Sequence, residues 1–127
     1  MITTYLAERA NQCLSYTVGL AHLGFAELIH IGAGPQDALW LLNDVAERER
    51  AGDLTYGDLA KIVRHGAVRV TPVATETARE YALLACDYAD RDGIALRFKE
   101  VLVPDRSGRL PGDPDYDLPF RPIGTAR

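Results

Sequence analysis

The chain has 127 residues, 47% hydrophobic and 25% charged, which is the size and balance of one globular domain rather than of a disordered or multidomain protein. Its formal net charge of −4 disfavours nucleic acid and anionic membranes as partners, because both attract clustered Lys and Arg. No apolar run is long enough to cross a bilayer and no signal peptide begins the sequence, so we expect a cytoplasmic location without a membrane partner.

The first two predicted elements are a short helix and a strand. Residues 1–11 carry a weak apolar stripe behind two threonines that can cap a helix. The strand follows, because apolar residues then alternate with small, weakly polar ones, which gives it one apolar face and one small polar face. The alternating apolar residues are Leu14, Tyr16, Val18 and Leu20.

A short connection containing Gly24 leads from this strand to a second one, predicted from Glu27 to Gly32. The length and the glycine are typical of a β-hairpin. A small polar face allows a neighbouring element, a ligand or a partner to approach the backbone closely. We expect the face to be open rather than buried.

The clearest helix is predicted from Pro35 to about Ala51, because proline favours a first helical turn and Gly52 can end the helix. Trp40 falls on its polar side. Since Trp is enriched at the centres of protein interfaces, we expect Trp40 in a protein contact or beneath the C-terminal tail. An indole lying on the surface across neighbouring side chains is the alternative.

The second half of the chain contains a short strand, a helix and a longer strand. Val68 to Thr71 alternates as a half-buried strand that Pro72 either ends or places at a sheet edge. A helix is predicted to reach about Asp90, and it begins either at Thr77, which has capping-box spacing with Glu80, or at Thr75, the competing cap. The strand from Ile94 to Val103 changes its apolar parity near Lys99 and Glu100, which predicts a β-bulge or a sharp bend.

Residues 105–108 have the composition of a type I turn, with Asp first and Gly last. The acidic, proline-rich residues 111–127 cannot form regular structure, so we expect an extended tail that wraps over the body or remains mobile. The prediction is therefore an α+β domain over residues 1–110, with a mixed or antiparallel sheet and two main helices packed against it.

An ordered set of short segments now indicates a family. The segments of this set are Tyr16–Leu20, Glu27–Leu28, Leu42–Asp44, Pro104–Gly108 and Pro111. In these the chain resembles a bacterial family described as domain of unknown function 4262. The resemblance implies the fold but no activity. The chain also departs from the family pattern at four places. Phe25-Ala26 stands where the family usually has His-Pro, and Glu100 where it has Gln. Gly112 stands in place of the usual Trp, and Arg121 in place of a frequent Gln.

The candidate chemistry centres on the hairpin. A carboxylate in an apolar strand must find hydrogen-bond donors or stay protonated, so Glu27 is a candidate catalytic residue together with Tyr16. Thr17 is a candidate substrate-binding residue beside them, with Asp105 and Arg106 at the rim of the site. The structural alternative is that Glu27 pairs with an arginine and has no chemical role.

A metal site is the weaker hypothesis for the same hairpin. His22, Glu27 and His30 lie within nine residues and are suitable zinc ligands. Strand alternation, however, directs Glu27 and His30 to different faces. We therefore expect no metal site and no cofactor, and a half-buried His30 with a hydrogen-bond partner. Two cysteines are too few for a disulfide framework.

Two functions remain. The first is a small-molecule-binding protein or a small-molecule-transforming enzyme that uses a polar pocket at Tyr16, Thr17 and Glu27. The alternative is a non-enzymatic interaction module, either a homodimer or a subunit of a larger complex, with Trp40 at its interface. A homo-oligomer is expected as well, since pockets often form at dimer interfaces.

Overall fold

A mixed sheet lies at the centre of the protein, and five of its strands fall within the described residues. The computed structural model describes residues 3–9, 12–52, 68–105, 107–118 and 123. The strands are β1 (Thr3–Arg9), β2 (Gln12–Val18), β3 (Glu27–Ile31), β4 (Arg69–Val73) and β5 (Phe98–Leu102). The helices are α1 (Pro35–Ala51), α2 (Thr75–Arg79) and α3 (Leu83–Arg91), with a 3₁₀ turn at Ala21–Leu23.

The strands lie in the order β1-β2-β3-β5-β4, and all neighbouring pairs are antiparallel except β3 with β5. Each face of the sheet has its own apolar cluster. On one face Leu28 and Val101 pack against α1, and on the other Tyr16, Ile29 and Phe98 pack with Ala and Cys side chains of α2 and α3. The predicted α+β class, with a mixed sheet and two main helices, is confirmed.

The N-terminal prediction is wrong. Residues 3–9 form strand β1 rather than a helix, and all seven pair with β2 in antiparallel register, from Thr3 opposite Val18 to Arg9 opposite Gln12. The apolar stripe in this segment is weak, and a ready-made partner strand outweighs a weak local preference for helix.

The helix predicted from Thr77 to Asp90 is divided in two. Ala82, with φ −94° and ψ 60°, has left the helical region before α3 begins. Helix α2 starts after Ala74 without a side-chain cap, so the predicted capping box at Thr77 does not form. The prediction of one continuous helix is therefore wrong.

The predicted bulge in β5 is also wrong. Residues 98–102 pair one by one with β4, without an extra residue on either strand. The apolar parity changes because a charged residue, Glu100, occupies a buried position and is only 2% exposed. Strand β5 is also shorter than predicted, since residues 94–97 lie outside it.

Other predictions are confirmed. Strands β2 and β3 form the expected antiparallel hairpin. Helix α1 runs from Pro35 to Ala51 and ends at Gly52, whose φ of 74° favours glycine. Pro72 lies in β4, an edge strand, where a missing N–H is tolerated. Residues 53–66, which the sequence predicts as an irregular segment with a short apolar centre at Leu59–Val63, lie outside the described residues.

The described part of the C-terminal segment packs on the sheet domain. The Tyr116 hydroxyl donates a hydrogen bond to the Val103 carbonyl (2.8 Å). Ile123 is 4% exposed within the apolar cluster on the α3 side, and its N–H donates to Oε2 of Glu100 (2.7 Å). The division into residues 1–110 and a tail of residues 111–127 stays a prediction.

Ile123→Ala should lower the free energy of unfolding by about 2–4 kcal/mol, the cost of removing a buried aliphatic side chain. Urea denaturation monitored by circular dichroism measures the change. Pro114→Ala is the matched control, because Pro114 is exposed in the same segment and should change stability by less than about 0.5 kcal/mol. Equal stability of the two variants would show that Ile123 contributes nothing to the core.

Candidate functional site

Glu27 lies at the start of β3, beneath the connection from β2, and is 1% exposed. Its Oε1 atom accepts hydrogen bonds from the Thr17 hydroxyl (2.7 Å) and the Leu20 N–H (3.2 Å). Its Oε2 atom accepts from the N–H groups of Gly19 (2.9 Å) and Ala21 (3.1 Å). Four donors match the accepting capacity of an ionised carboxylate. The side chain therefore ties the β2–β3 connection to the sheet.

The local backbone explains why a carboxylate is needed here. The 3₁₀ turn begins after Leu20, which provides no side-chain cap. Amide groups at the start of a helical turn have no partner within the turn, and successive N–H groups of this kind form a cavity that favours an anion. Gly19 has φ 123°, a conformation that other residues rarely adopt. Glu27 supplies the anion from within the chain.

The small polar face of β2 is closed. Ser15 and Thr17 are 0% exposed. The apolar residues of β2 lie on the face of the sheet that packs against α3. Because side chains alternate along a strand, Ser15 and Thr17 lie on the other face, towards α1. The Thr17 hydroxyl also accepts from the Leu28 N–H (2.9 Å), and the Ser15 hydroxyl donates to the His30 carbonyl (3.3 Å). The expectation that this face is open to a ligand is wrong, because a helix covers it.

Tyr16 points to the other face of the sheet. It is 7% exposed, and its hydroxyl accepts a hydrogen bond from the Leu84 N–H at the start of α3 (3.3 Å). The structure therefore brings Thr17 and Glu27 together and directs Tyr16 away from them. The catalytic roles predicted for Glu27 and Tyr16 stay predictions.

Asp105 is a second buried carboxylate and organises the turn after β5. Its Oδ1 accepts from the N–H groups of Ser107 and Arg109, both at 2.9 Å. Its Oδ2 accepts from Nε of Arg109 (2.9 Å) and the Asp117 N–H (3.2 Å). Burial raises the pKa of Asp105, but the bonds from Arg109, Asp117 and Ser107 outweigh it and hold the pKa at about 2. Arg106, its predicted neighbour at the rim, lies outside the described residues.

His30 and His22 have different environments. His30 is 2% exposed. Its Nε2 accepts a hydrogen bond from the Ala33 N–H (3.1 Å). The ring proton is therefore on Nδ1, which donates to the Val101 carbonyl (2.8 Å). Burial lowers the pKa of His30 to about 4, against a smaller opposite effect of the Val101 bond. His22 pairs with Asp92 (2.7 Å) at the surface. In the described part of the chain, no three side chains form a metal-binding group.

Sequence reasoning missed two buried polar groups. Glu100, predicted only as the place of a bulge, accepts the Ile123 N–H inside the core. Thr4 of β1 lies directly opposite Thr17, and its Oγ1 is buried without a hydrogen-bond partner. A charge at an apolar position of a strand was the available indication for Glu100. Thr4 carried no indication, because its segment was predicted as a helix.

These features define an α+β protein with a mixed sheet, in which buried carboxylates accept hydrogen bonds from the chain itself. A family model described as Domain of unknown function (DUF4262) matches residues 1–117, so the chain belongs to that family. No curated protein and no solved structure shows significant similarity to it. None of the described helices is long and apolar enough to cross a bilayer.

The two opposed threonines should respond to substitution with opposite signs. Thr17→Val removes the donor to Glu27 and the acceptor for Leu28, and should cost about 2–4 kcal/mol of unfolding free energy. Thr4→Val removes only an unpaired buried hydroxyl and should stabilise the protein by about 1 kcal/mol. Urea denaturation of both variants measures the difference. Destabilisation by Thr4→Val would show that its hydroxyl has a partner.

The stability should depend on pH through His30. Because the pKa of His30 is about 6.5 when unfolded and about 4 when folded, its neutral form stabilises the fold fully above pH 6.5. That contribution falls as the pH decreases towards 4, by about 3 kcal/mol in total at about 1.4 kcal/mol per pKa unit. Asp105 affects the stability below this window. The stabilisation by its ionised form is lost as the pH falls from its usual pKa of 3.8 to its folded pKa of about 2.

His30→Asn tests this assignment, since Asn keeps a donor for the Val101 carbonyl but does not titrate. Unfolding free energies measured at several pH values should fall steeply between pH 6.5 and 4 in the wild type and less steeply in the variant. Parallel profiles would mean that another group causes the acid sensitivity.

Proposed function

We propose that this protein is a non-enzymatic interaction module whose contact surface is the outer face of α1 around Trp40. The observation that carries the proposal is the 52% exposure of Trp40, on a helix whose opposite side packs into the core. Trp has more apolar surface to bury than any other side chain and dominates the energetics of many interfaces. The helical periodicity of the sequence predicts the same polar face for Trp40.

The surroundings of Trp40 support a protein partner with basic residues. Asp37, Asn43 and Glu47 are exposed within two helical turns of the indole, and Asp44 is half-buried. An aromatic side chain within a polar rim is the usual anatomy of an interface. The rim is acidic, so a partner surface with Lys or Arg residues complements it.

The polar interior supports a non-enzymatic function. The acceptor sites of Glu27 are used by four groups of its own chain, and a catalytic carboxylate there would have to release them. The small-molecule function predicted from Tyr16, Thr17 and Glu27 stays a prediction. A cytoplasmic location stays a prediction as well.

Site-specific photocrosslinking tests the proposal. A photoreactive benzoylphenylalanine introduced at residue 40, in the cell that produces the protein, should give covalent adducts whose masses identify the partner. The same residue at position 83 is the matched control, because Leu83 is also exposed, at 64%, but lies on α3. Adducts equal in yield at both positions, or absent from residue 40, would contradict the proposal.

With the crosslinked partner purified, Trp40→Ala should raise its dissociation constant roughly thirtyfold, which corresponds to about 2 kcal/mol for truncation of a central Trp. Leu83→Ala should leave the constant unchanged. Isothermal titration calorimetry measures both, and an unchanged constant for Trp40→Ala would remove Trp40 from the interface.

A further inference from the structure

We infer that the outer edge of β1 is a dimerisation surface, on which β1 of a second copy pairs in antiparallel orientation. Among the strands that the structure describes, β1 and β4 are the two edges of the sheet. An edge strand presents backbone N–H and C=O groups that can pair with another chain. The two edges of this sheet differ in how well they are protected against that pairing.

The β4 edge is protected. It has five residues, and one of them is the exposed Pro72, which has no N–H to donate. Arg69, at its start, is exposed and charged. Proline, charge and short length are the features that prevent pairing at an edge.

The β1 edge has none of these protections at its centre. Its seven residues contain no proline, and its charged residues, Glu8 and Arg9, come last. All seven are in register with β2, so the strand is continuous and unbulged. No strand in the described part of the chain pairs with its other side. About half of its backbone groups therefore point outward, since bonding direction alternates along an antiparallel strand.

A second copy fits this edge better than an unrelated strand. A two-fold axis at Leu6 places Thr4 opposite Glu8 and Thr3 opposite Arg9, so no like charges face each other. The pairing also closes the assembly, because it uses both β1 edges and leaves only the two β4 edges with Pro72. The dimer therefore does not extend into a fibre.

The dimer goes beyond the proposed function and does not depend on Trp40. A two-fold axis that continues an antiparallel sheet is perpendicular to it, so both copies of α1 lie on the same face of the joined sheets. Helix α1 packs over β1, β2 and β3, and Trp40 points away from them. The dimer thus presents two Trp40 surfaces on one side and can bind a partner bivalently.

Sedimentation velocity and hydrogen exchange of the full chain test the inference. The mass should rise from 13.9 kDa to twice that value between submicromolar and high micromolar concentration. Over the same range, exchange of the amides in residues 3–9 should slow, while that of β4 stays constant. A monomer at every concentration, or unchanged exchange in residues 3–9, would overturn the inference.

Proline variants locate the surface. Leu6 and Ala7 are adjacent, so one of the two has its N–H directed outward. We expect Leu6→Pro and Ala7→Pro to differ. The substitution at the residue whose N–H is directed outward should keep the wild-type circular dichroism spectrum and lose the dimer. The substitution at the other residue should lose part of β1. Trp40→Ala should remain dimeric. A dimer that persists in the folded proline variant, or one that is lost in Trp40→Ala, would overturn the inference. Neither outcome would affect the crosslinking test of the Trp40 surface.

Discussion

The four hydrogen bonds accepted by Glu27 are the interaction on which this structure depends most. Removing a carboxylate from water costs several kcal/mol unless charged or polar donors replace the water. Thr17 and the N–H groups of residues 19–21 do so. They join the end of β2, the 3₁₀ turn and the start of β3 in one small network. This network therefore holds the β2–β3 connection at defined atoms of the sheet.

Two further carboxylates use the same chemistry at the other end of the chain. Asp105 binds the N–H groups of its own turn and that of Asp117, and Glu100 binds the N–H of Ile123. In each case a buried acid replaces the backbone partner that a strand or helix would have supplied. The segments after β5 contain no α-helix and no β-strand among the described residues, yet they are anchored at defined atoms. Loops held in this way do not need a long apolar stretch of their own.

The sequence was sufficient for the elements whose patterns are strong and local. Helix α1 has a proline at its start, a glycine at its end and a continuous apolar face, and its bounds followed directly. The β2–β3 hairpin followed from alternation. Strand β1 could not be recognised, because its partner decides its conformation. The position of Glu100 could not be understood either, because the N–H that compensates its burial lies 23 residues away.

The candidate site illustrates the same limit in chemical terms. Thr17 and Glu27 were correctly placed together, because both flank one short connection. Their burial was not predictable, since it depends on α1, a separate part of the chain that packs over β2. A catalytic pair and a backbone anchor require the same residue types at the same spacing, and only the donors around the carboxylate distinguish them.

Three of the five segments that carry the family resemblance contain these anchors. Tyr16–Leu20 and Glu27–Leu28 contain the Glu27 network, and Pro104–Gly108 contains the Asp105 turn. Glu27 and Asp105 in these segments each accept four hydrogen bonds from their own chain. A protein partner contacts side chains that reach solvent. In the described structure, Trp40 is the largest apolar side chain that does so, which makes the outer face of α1 the place where its function is best sought.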